Sequence, residues 1–221
     1  MSHVITLVQK KRSQLQERIS ELGAQVIAAL HQSVECLRTQ DQALAQQISA
    51  GNRLINHQRR LLEQECLVAL AAFKPAGEDL RTIGACLEMA SELERIGDYA
   101  ADIARIIARD VKMPLPEGAV AAIIALANKS IAMLEQTLAG FLSHADESSL
   151  RAAVANEPQV DRDEDTLTAQ ILEWMRTEPE FVEHGTYLLW IAHNYERAAD
   201  RATNIAERAV FAVAGHTPDL D

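Results

Sequence analysis

Carboxylates recur in this sequence at helical spacing. Glu94-Arg95-Ile96-Gly97-Asp98 and Glu196-Arg197-Ala198-Ala199-Asp200 carry one Glu-x-x-x-Asp pattern 102 residues apart, extended one turn further by Asp102 in the first and Asn204 in the second. Residues four apart share a side of a helix, about 6 Å from one another, so each pattern is a ladder of oxygen donors. Glu157, Asp161 and Asp165 form another ladder, with Asp163 and Glu164 beside it. Ladders from two adjacent helices can supply several oxygens to a hard or borderline cation such as iron, manganese, magnesium or zinc. A solvated charged face is the plainer account of any one such ladder. Like charges at i,i+4 nevertheless cost about 0.3 kcal/mol, and the chain incurs that cost twice at the same position.

Other polar residues near the ladders have simpler readings. His193 shares a face with Glu196 and Asp200, and imidazole suits iron or zinc, but a satisfied boundary histidine is the more ordinary role for it and for His57. Arg95 and Arg197 can pair with Glu92, Asp98 or Asp200; exposed pairs contribute only about 0–1 kcal/mol and leave room for a metal.

The elements that must hold these residues are helices. Leu15, Ile19, Leu22, Val26, Leu30, Val34 and Leu37 repeat every three or four residues along one stripe, and the same periodicity runs through most of the 221 residues. Nine glycines and six prolines are few for so long a chain, which disfavours a strand-and-turn architecture. Breaks fall at Thr39-Gln40-Asp41, Lys74-Pro75-Ala76-Gly77, Met113-Pro114-Leu115-Pro116, Ser143 to Asp146 and Thr177-Glu178-Pro179, leaving six segments. Trp174 and Trp190 read as core or bundle-end packing residues.

The segments fall into two copies. The seam Met89, Leu93, Ile96, Ala100, Ile103, Ile107 recurs 102 residues later as Ile191, Tyr195, Ala198, Ala202, Ile205, Ala209. Ile48, Ile55, Leu62 and Ala69 recur 105 residues later as Ala153, Val160, Leu167 and Trp174, and Ala29 to Val34 answers Met133 to Leu138. The expected fold is all-α, a tandem repeat of two antiparallel three-helix bundles built from six long helices, residues 1–112 and 113–221. Short proline-bearing loops disfavour the other heptad solution, an extended coiled coil.

Composition narrows function by exclusion. Lys+Arg number 21 against 32 Asp+Glu, a net charge of −11, which gives no drive toward nucleic acid or anionic lipid; Lys10-Lys11-Arg12 is too short to change that. Cys36, Cys66 and Cys86 lack CxxC spacing, so neither a disulfide framework nor a thiolate zinc site is expected, and a reducing cytoplasm is. Met1-Ser2-His3-Val4 opens no signal-peptide apolar region, and the longest apolar run, Ala119 to Ala127, is half a membrane span; a soluble protein is expected. No phosphate-cradling glycine loop, G-x-S-x-G elbow or Cys/His nucleophile arrangement is evident, so no enzyme is expected.

The two motif copies, Leu93-Glu94-Arg95-Ile96-Gly97-Asp98-Tyr99-Ala100-Ala101-Asp102-Ile103-Ala104 and Tyr195-Glu196-Arg197-Ala198-Ala199-Asp200-Arg201-Ala202-Thr203-Asn204-Ile205-Ala206-Glu207, resemble the PhoU family across essentially the whole chain. Pro75 to Arg81 is similar to that family's entry to its third helix, where Asp79 would act as the cap. The resemblance implies a cytoplasmic, non-enzymatic negative regulator of phosphate uptake and phosphate-starvation signalling. It implies coupling of a phosphate ABC transporter, through its ATPase subunit, to a sensor histidine kinase, with membrane association only through those partners. It also implies a homodimer or higher oligomer and an iron or zinc cluster held by E/D-xxx-D motifs.

Carried over residue by residue, the ligands would be Glu94, Asp98 and Asp102 in the first copy and Glu196 and Asp200 in the second, with Asn204 a weaker neutral donor. Glu157 and Asp161 fit the further acids expected from the preceding helix. In the first copy their places hold Asn52 and Asn56, with Arg59 nearby, so a metal site is expected on the second repeat and a weaker or absent one on the first. The charge divides the same way: residues up to Lys112 sum to zero and those from Met113 to −11. Two rivals remain, a ferritin-like carboxylate-metal protein and a metal-free helical adaptor. The first needs Glu-x-x-His pairs aimed into a bundle core, whereas the acids here lie opposite the apolar seam.

Overall fold

The computed structural model describes residues 6–109 and 115–220, which contain helices and no strand. The first two helices start where a side chain satisfies free backbone amides. α1 (Leu7–Thr39) opens on a capping box: Thr6 Oγ1 accepts from the Gln9 amide at 3.2 Å and Gln9 Oε1 accepts from the Thr6 amide at 2.9 Å. It stops at Gln40, left-handed with φ 53°, and Asp41 at once caps α2 (Gln42–Phe73) by accepting from the Ala43 and Leu44 amides. Left-handed backbone at Lys74 and Gly77, φ 45° and 56°, brackets the Pro75 turn into α3 (Gly77–Ile107). Asp79 does not cap α3. Ala76 holds the cap position, and Asp79 lies inside the first turn, 3.0 Å from Arg12 of α1; a cross-helix ion pair at the positive helix end replaces the cap.

In the second half, α4 (Glu117–Leu142) is followed by two helices where the sequence pattern predicts one. α5 (Glu147–Val154) and α6 (Glu157–Thr177) separate at Ala155-Asn156, because Pro158 has no amide hydrogen for the Val154 carbonyl and its ring crowds that oxygen. A 3₁₀ turn, Pro179–Phe181, leads into α7 (Val182–Ala214), which ends on Gly215 at φ 83°. The expected break at Met113-Pro114 and the boundary between residues 112 and 113 lie outside the described residues.

The predicted seams are the core. Every seam residue of α3 and α7 named above is buried, as are Ile48, Ile55, Leu62 and Ala69 of α2 and Ala153, Val160 and Leu167 of α5 and α6. The first repeat is a three-helix bundle, α1–α3; the second, α4–α7, matches it with α5 and α6 together in the place of one helix, and the two join through α3 against α7 and α1 against α4. Glu88 pairs with Arg208 at 3.0 Å, the Asn204 amide donates to Glu92 at 3.3 Å and Arg81 Nε donates to the Ala212 carbonyl at 3.3 Å; rising numbers on α3 meet falling numbers on α7, so the pair is antiparallel. Residues at one repeat position touch their own counterparts, His31 with Glu135 at 3.2 Å and Arg201 with Tyr99 at 3.4 Å. Contacts between equivalent positions of two copies whose helices pair antiparallel mark an approximate two-fold axis between the repeats.

Two expectations about apolar residues need adjustment. Trp174 packs edge-on to Phe181 at 6.1 Å, but Trp190 is 48% exposed beside Tyr187 rather than in the core. α4 is long and apolar enough to cross a membrane by length and composition. Its apolar face, including Ile123, Leu126, Ile131 and Leu134, is buried in the bundle, and its outer face carries Asn128, Glu135 and Gln136.

Candidate metal centre

The ladders lie on the side of α3 and α7 away from the central seam, as the spacing predicts, yet they are not open surface. α2 and α6 fold over that side, leaving the side chains of Glu94 and Glu196 only 19% and 18% exposed. In the second repeat α6 brings Glu157 and Asp161 against α7. One carboxylate oxygen from each of Glu157, Asp161 and Asp200 lies within 4.8 Å of the others. Glu196 sits one turn before Asp200, and one of its oxygens, Oε2, is buried without a hydrogen-bond donor. The His193 ring approaches that oxygen to 3.1 Å from an exposed position. Burial first, then the charges of Asp200, Asp161 and Glu164, push the Glu196 carboxyl up to about 7, against a smaller opposing pull from Arg197. Carboxylates crowded so closely that one resists ionisation form a site with surplus negative charge, as a divalent or trivalent cation requires.

The first repeat presents the same backbone frame with different chemistry. The Asn52 amide donates to Asp98 Oδ1 at 2.7 Å, and Arg59 lies 3.4 Å from Glu94 Oε2 while also bonding Glu63. Asp102, expected with Glu94 and Asp98, instead pairs with Arg105 at 3.0 Å, half exposed. Gly97 lets α2 approach closely; a Cβ there would meet Ile55 Cγ2 at 3.0 Å and Asn52 Oδ1 at 3.3 Å, whereas the second repeat has Ala199 at that position.

The PhoU domain model matches residues 19–107 and 123–209, one copy on each bundle. The chain belongs to the PhoU family. Its relatives include the phosphate-specific transport system accessory protein PhoU homologues of Rhizobium meliloti, 27% identical over 98% of this chain and 91% of that protein, and of Streptococcus pneumoniae, 28% identical over 94% and 95%. The crystal structure of the phosphate transport system regulatory protein PhoU from Streptococcus pneumoniae superposes with a TM-score of 0.89 at 27% identity, covering 96% of this chain and 99% of that one. That of PhoU from Pseudomonas aeruginosa gives 0.88 at 25% identity, covering 94% and 99%.

Within this PhoU fold, Glu157, Asp161 and Asp200 come together, with Glu196 one turn before Asp200 on α7. Glu94 and Asp98 also share a groove, but with an arginine and an asparagine as neighbours. Asn204 turns its amide to Glu92 across the repeat interface, and Asp165 is exposed. Asp163 pairs with Lys129 of α4, which holds its carboxyl below the usual range. Arg197 lies 4.3 Å over the Tyr99 ring, and it is Arg201 that takes Glu92, at 3.2 Å. Glu164 is the residue that spacing alone undervalues. It is the repeat counterpart of Arg59 and one of the charges acting on Glu196, a role visible only once the two halves are aligned position by position.

Proposed function

We propose that this protein is a phosphate-transport regulator of the PhoU type, without catalytic activity, whose second repeat holds a metal. The carrying observation is the convergence of Glu157, Asp161 and Asp200 oxygens within 4.8 Å beside a Glu196 carboxyl crowded enough to hold its proton to about pH 7. Glu157, Asp161, Glu196 and Asp200 would ligate iron or zinc as a cluster, with Glu164 adding negative charge. The bound metal would supply a fixed positive charge joining α6 to α7. The chain's own residues do the rest: α6 presents two acids across the groove, α7 presents two from one face, and Glu196 gives up its proton on loading. In the cytoplasm the helical faces would engage the ATPase subunit of a phosphate ABC transporter and a sensor histidine kinase, with the chain as a homodimer or larger assembly, repressing starvation genes when phosphate is plentiful. Membrane association would come only through those partners.

The relatives' names support the transport role, and the acidic groove supports the metal. Elemental analysis of protein purified without chelator, compared with Glu196→Ala/Asp200→Ala, tests the site; equal metal in both, or none in either, removes it. A deletion strain in which phosphate-responsive transcription is unchanged would remove the regulatory role.

A further inference from the structure

The two repeats invite a position-by-position comparison of charge. At the positions of Glu157, Asp161 and Glu164 on α6, α2 carries Asn52, Asn56 and Arg59, while Glu196 and Asp200 of α7 correspond to Glu94 and Asp98 of α3. Five carboxylates in one groove thus correspond to two carboxylates and a guanidinium in the other. The difference is structural as well as compositional. Arg59 is directed at Glu94 from 3.4 Å and anchored by Glu63 one turn along α2, Asn52 donates to Asp98 at 2.7 Å, and Gly97 lets Ile55 and Asn52 close onto α3. The buried amide oxygens of Asn52 and Asn56 have no partner and are the remaining donors there, but they are neutral.

We propose that Arg59 is the built-in cation of the first repeat: its guanidinium occupies the electrostatic place that a metal takes in the second, so the first repeat is closed to metal and its α2–α3 contact is independent of metal supply. A guanidinium is permanently charged and planar, and cannot be removed by a chelator. A divalent cation entering this groove would meet like charge at close range and two neutral oxygens where the other repeat offers carboxylates. The inference rests on the proposed metal reading only for the second repeat.

The test loads chelator-stripped full-length protein with Zn²⁺ and measures bound zinc per chain after gel filtration, with circular dichroism as the check on folding. Glu94→Gln/Asp98→Asn should bind as much zinc as the parent, whereas Glu196→Gln/Asp200→Asn should lose at least tenfold. The triple variant Asn52→Glu/Asn56→Asp/Arg59→Glu, which copies α6 onto α2, should bind twice the parent's zinc. Loss of zinc from Glu94→Gln/Asp98→Asn overturns the proposal, as does a folded triple variant that gains none. If the triple variant is unfolded, the Glu94→Gln/Asp98→Asn comparison decides alone. If the parent binds no zinc and the triple variant does, the second-repeat reading fails and the role of Arg59 stands; if neither binds, both fail.

Discussion

The hydroxyls of Ser33 and Tyr195 meet at 2.8 Å in the interior, Ser33 from α1 of one repeat and Tyr195 from α7 of the other, both inaccessible to solvent. Ser33 donates to the Leu30 carbonyl at 2.7 Å, so the hydrogen between the two hydroxyls belongs to Tyr195. Burial raises the Tyr195 phenol above its ordinary range, which keeps that hydrogen in place at neutral pH. The direction of donation makes the pair asymmetric to mutation. Tyr195→Phe removes a donor and leaves Ser33 its own bond, a cost of about 1 kcal/mol; Ser33→Ala strands a buried phenolic hydrogen and should cost about 2 kcal/mol. Urea unfolding of both variants measures the order, and Tyr195→Phe being the more damaging would reverse the assignment.

Thr137 occupies the repeat position of Ser33, but the counterpart of Tyr195 is Leu93, which has no hydroxyl. Thr137 Oγ1 is accordingly buried with no partner. Thr137→Val keeps the shape and removes the orphaned group, so it should raise unfolding stability by about 1 kcal/mol. A melting temperature below that of the parent would contradict this.

Glu196 makes metal-free protein sensitive to pH. Its carboxyl stands at about 7 in the fold against an ordinary 4.5, so the folded state holds the proton more tightly than the unfolded chain. The resulting stabilisation is complete below about pH 4.5 and lost as pH rises through 7, a change of about 3 kcal/mol. Stripped protein should therefore weaken between pH 5 and 8 relative to Glu196→Gln. Zinc should oppose the trend and release protons on binding below pH 7. Parallel stability curves for parent and variant would show that Glu196 is not the titrating group.

Gly23 marks a close approach of α1 to α4. A Cβ at this position would stand 2.6 Å from Leu138 Cδ1, and the space beyond is core. Gly23→Val should cost about 1–3 kcal/mol through forced repacking between the repeats. Combined with Leu138→Ala, which opens that space, it should cost less than the sum of the two changes. Additive losses in the double variant would show that the two sites do not meet.

Most of the architecture is legible in the sequence because helix seams and their duplication are periodic signals. The spacing of Met89 to Ile107 and of Ile191 to Ala209 locates the core of both halves without reference to any contact. What periodicity does not carry is the direction of individual polar groups. Asp79 has the right type for a cap, but Arg12 arrives from another helix and takes it as an ion pair. Pro158 splits a helix whose apolar pattern runs on regardless. Trp190 lies one residue before the seam at Ile191, a rotation of about 100° on the helix, enough to bring it to the surface. At the site, Glu196 and Asp200 stand out by the repeat offset, and Glu157 and Asp161 by their spacing of four and by the family resemblance. The partners of Asp102, Asp163 and Asn204 do not, since Arg105 competes one turn along α3, Lys129 reaches in from α4 and Glu92 comes from across the two-fold interface.

The two-fold axis running through a single chain has a consequence for how signals combine. Two identical subunits would titrate the same ion with the same groups and respond together. Joining the halves covalently lets one carry a guanidinium at Arg59 where the other keeps a carboxylate at Glu164, at a fixed ratio of one to one in every molecule. If the second repeat takes up metal as proposed, the Arg59 half would be an invariant reference beside it, and a partner touching both would read a difference rather than a level.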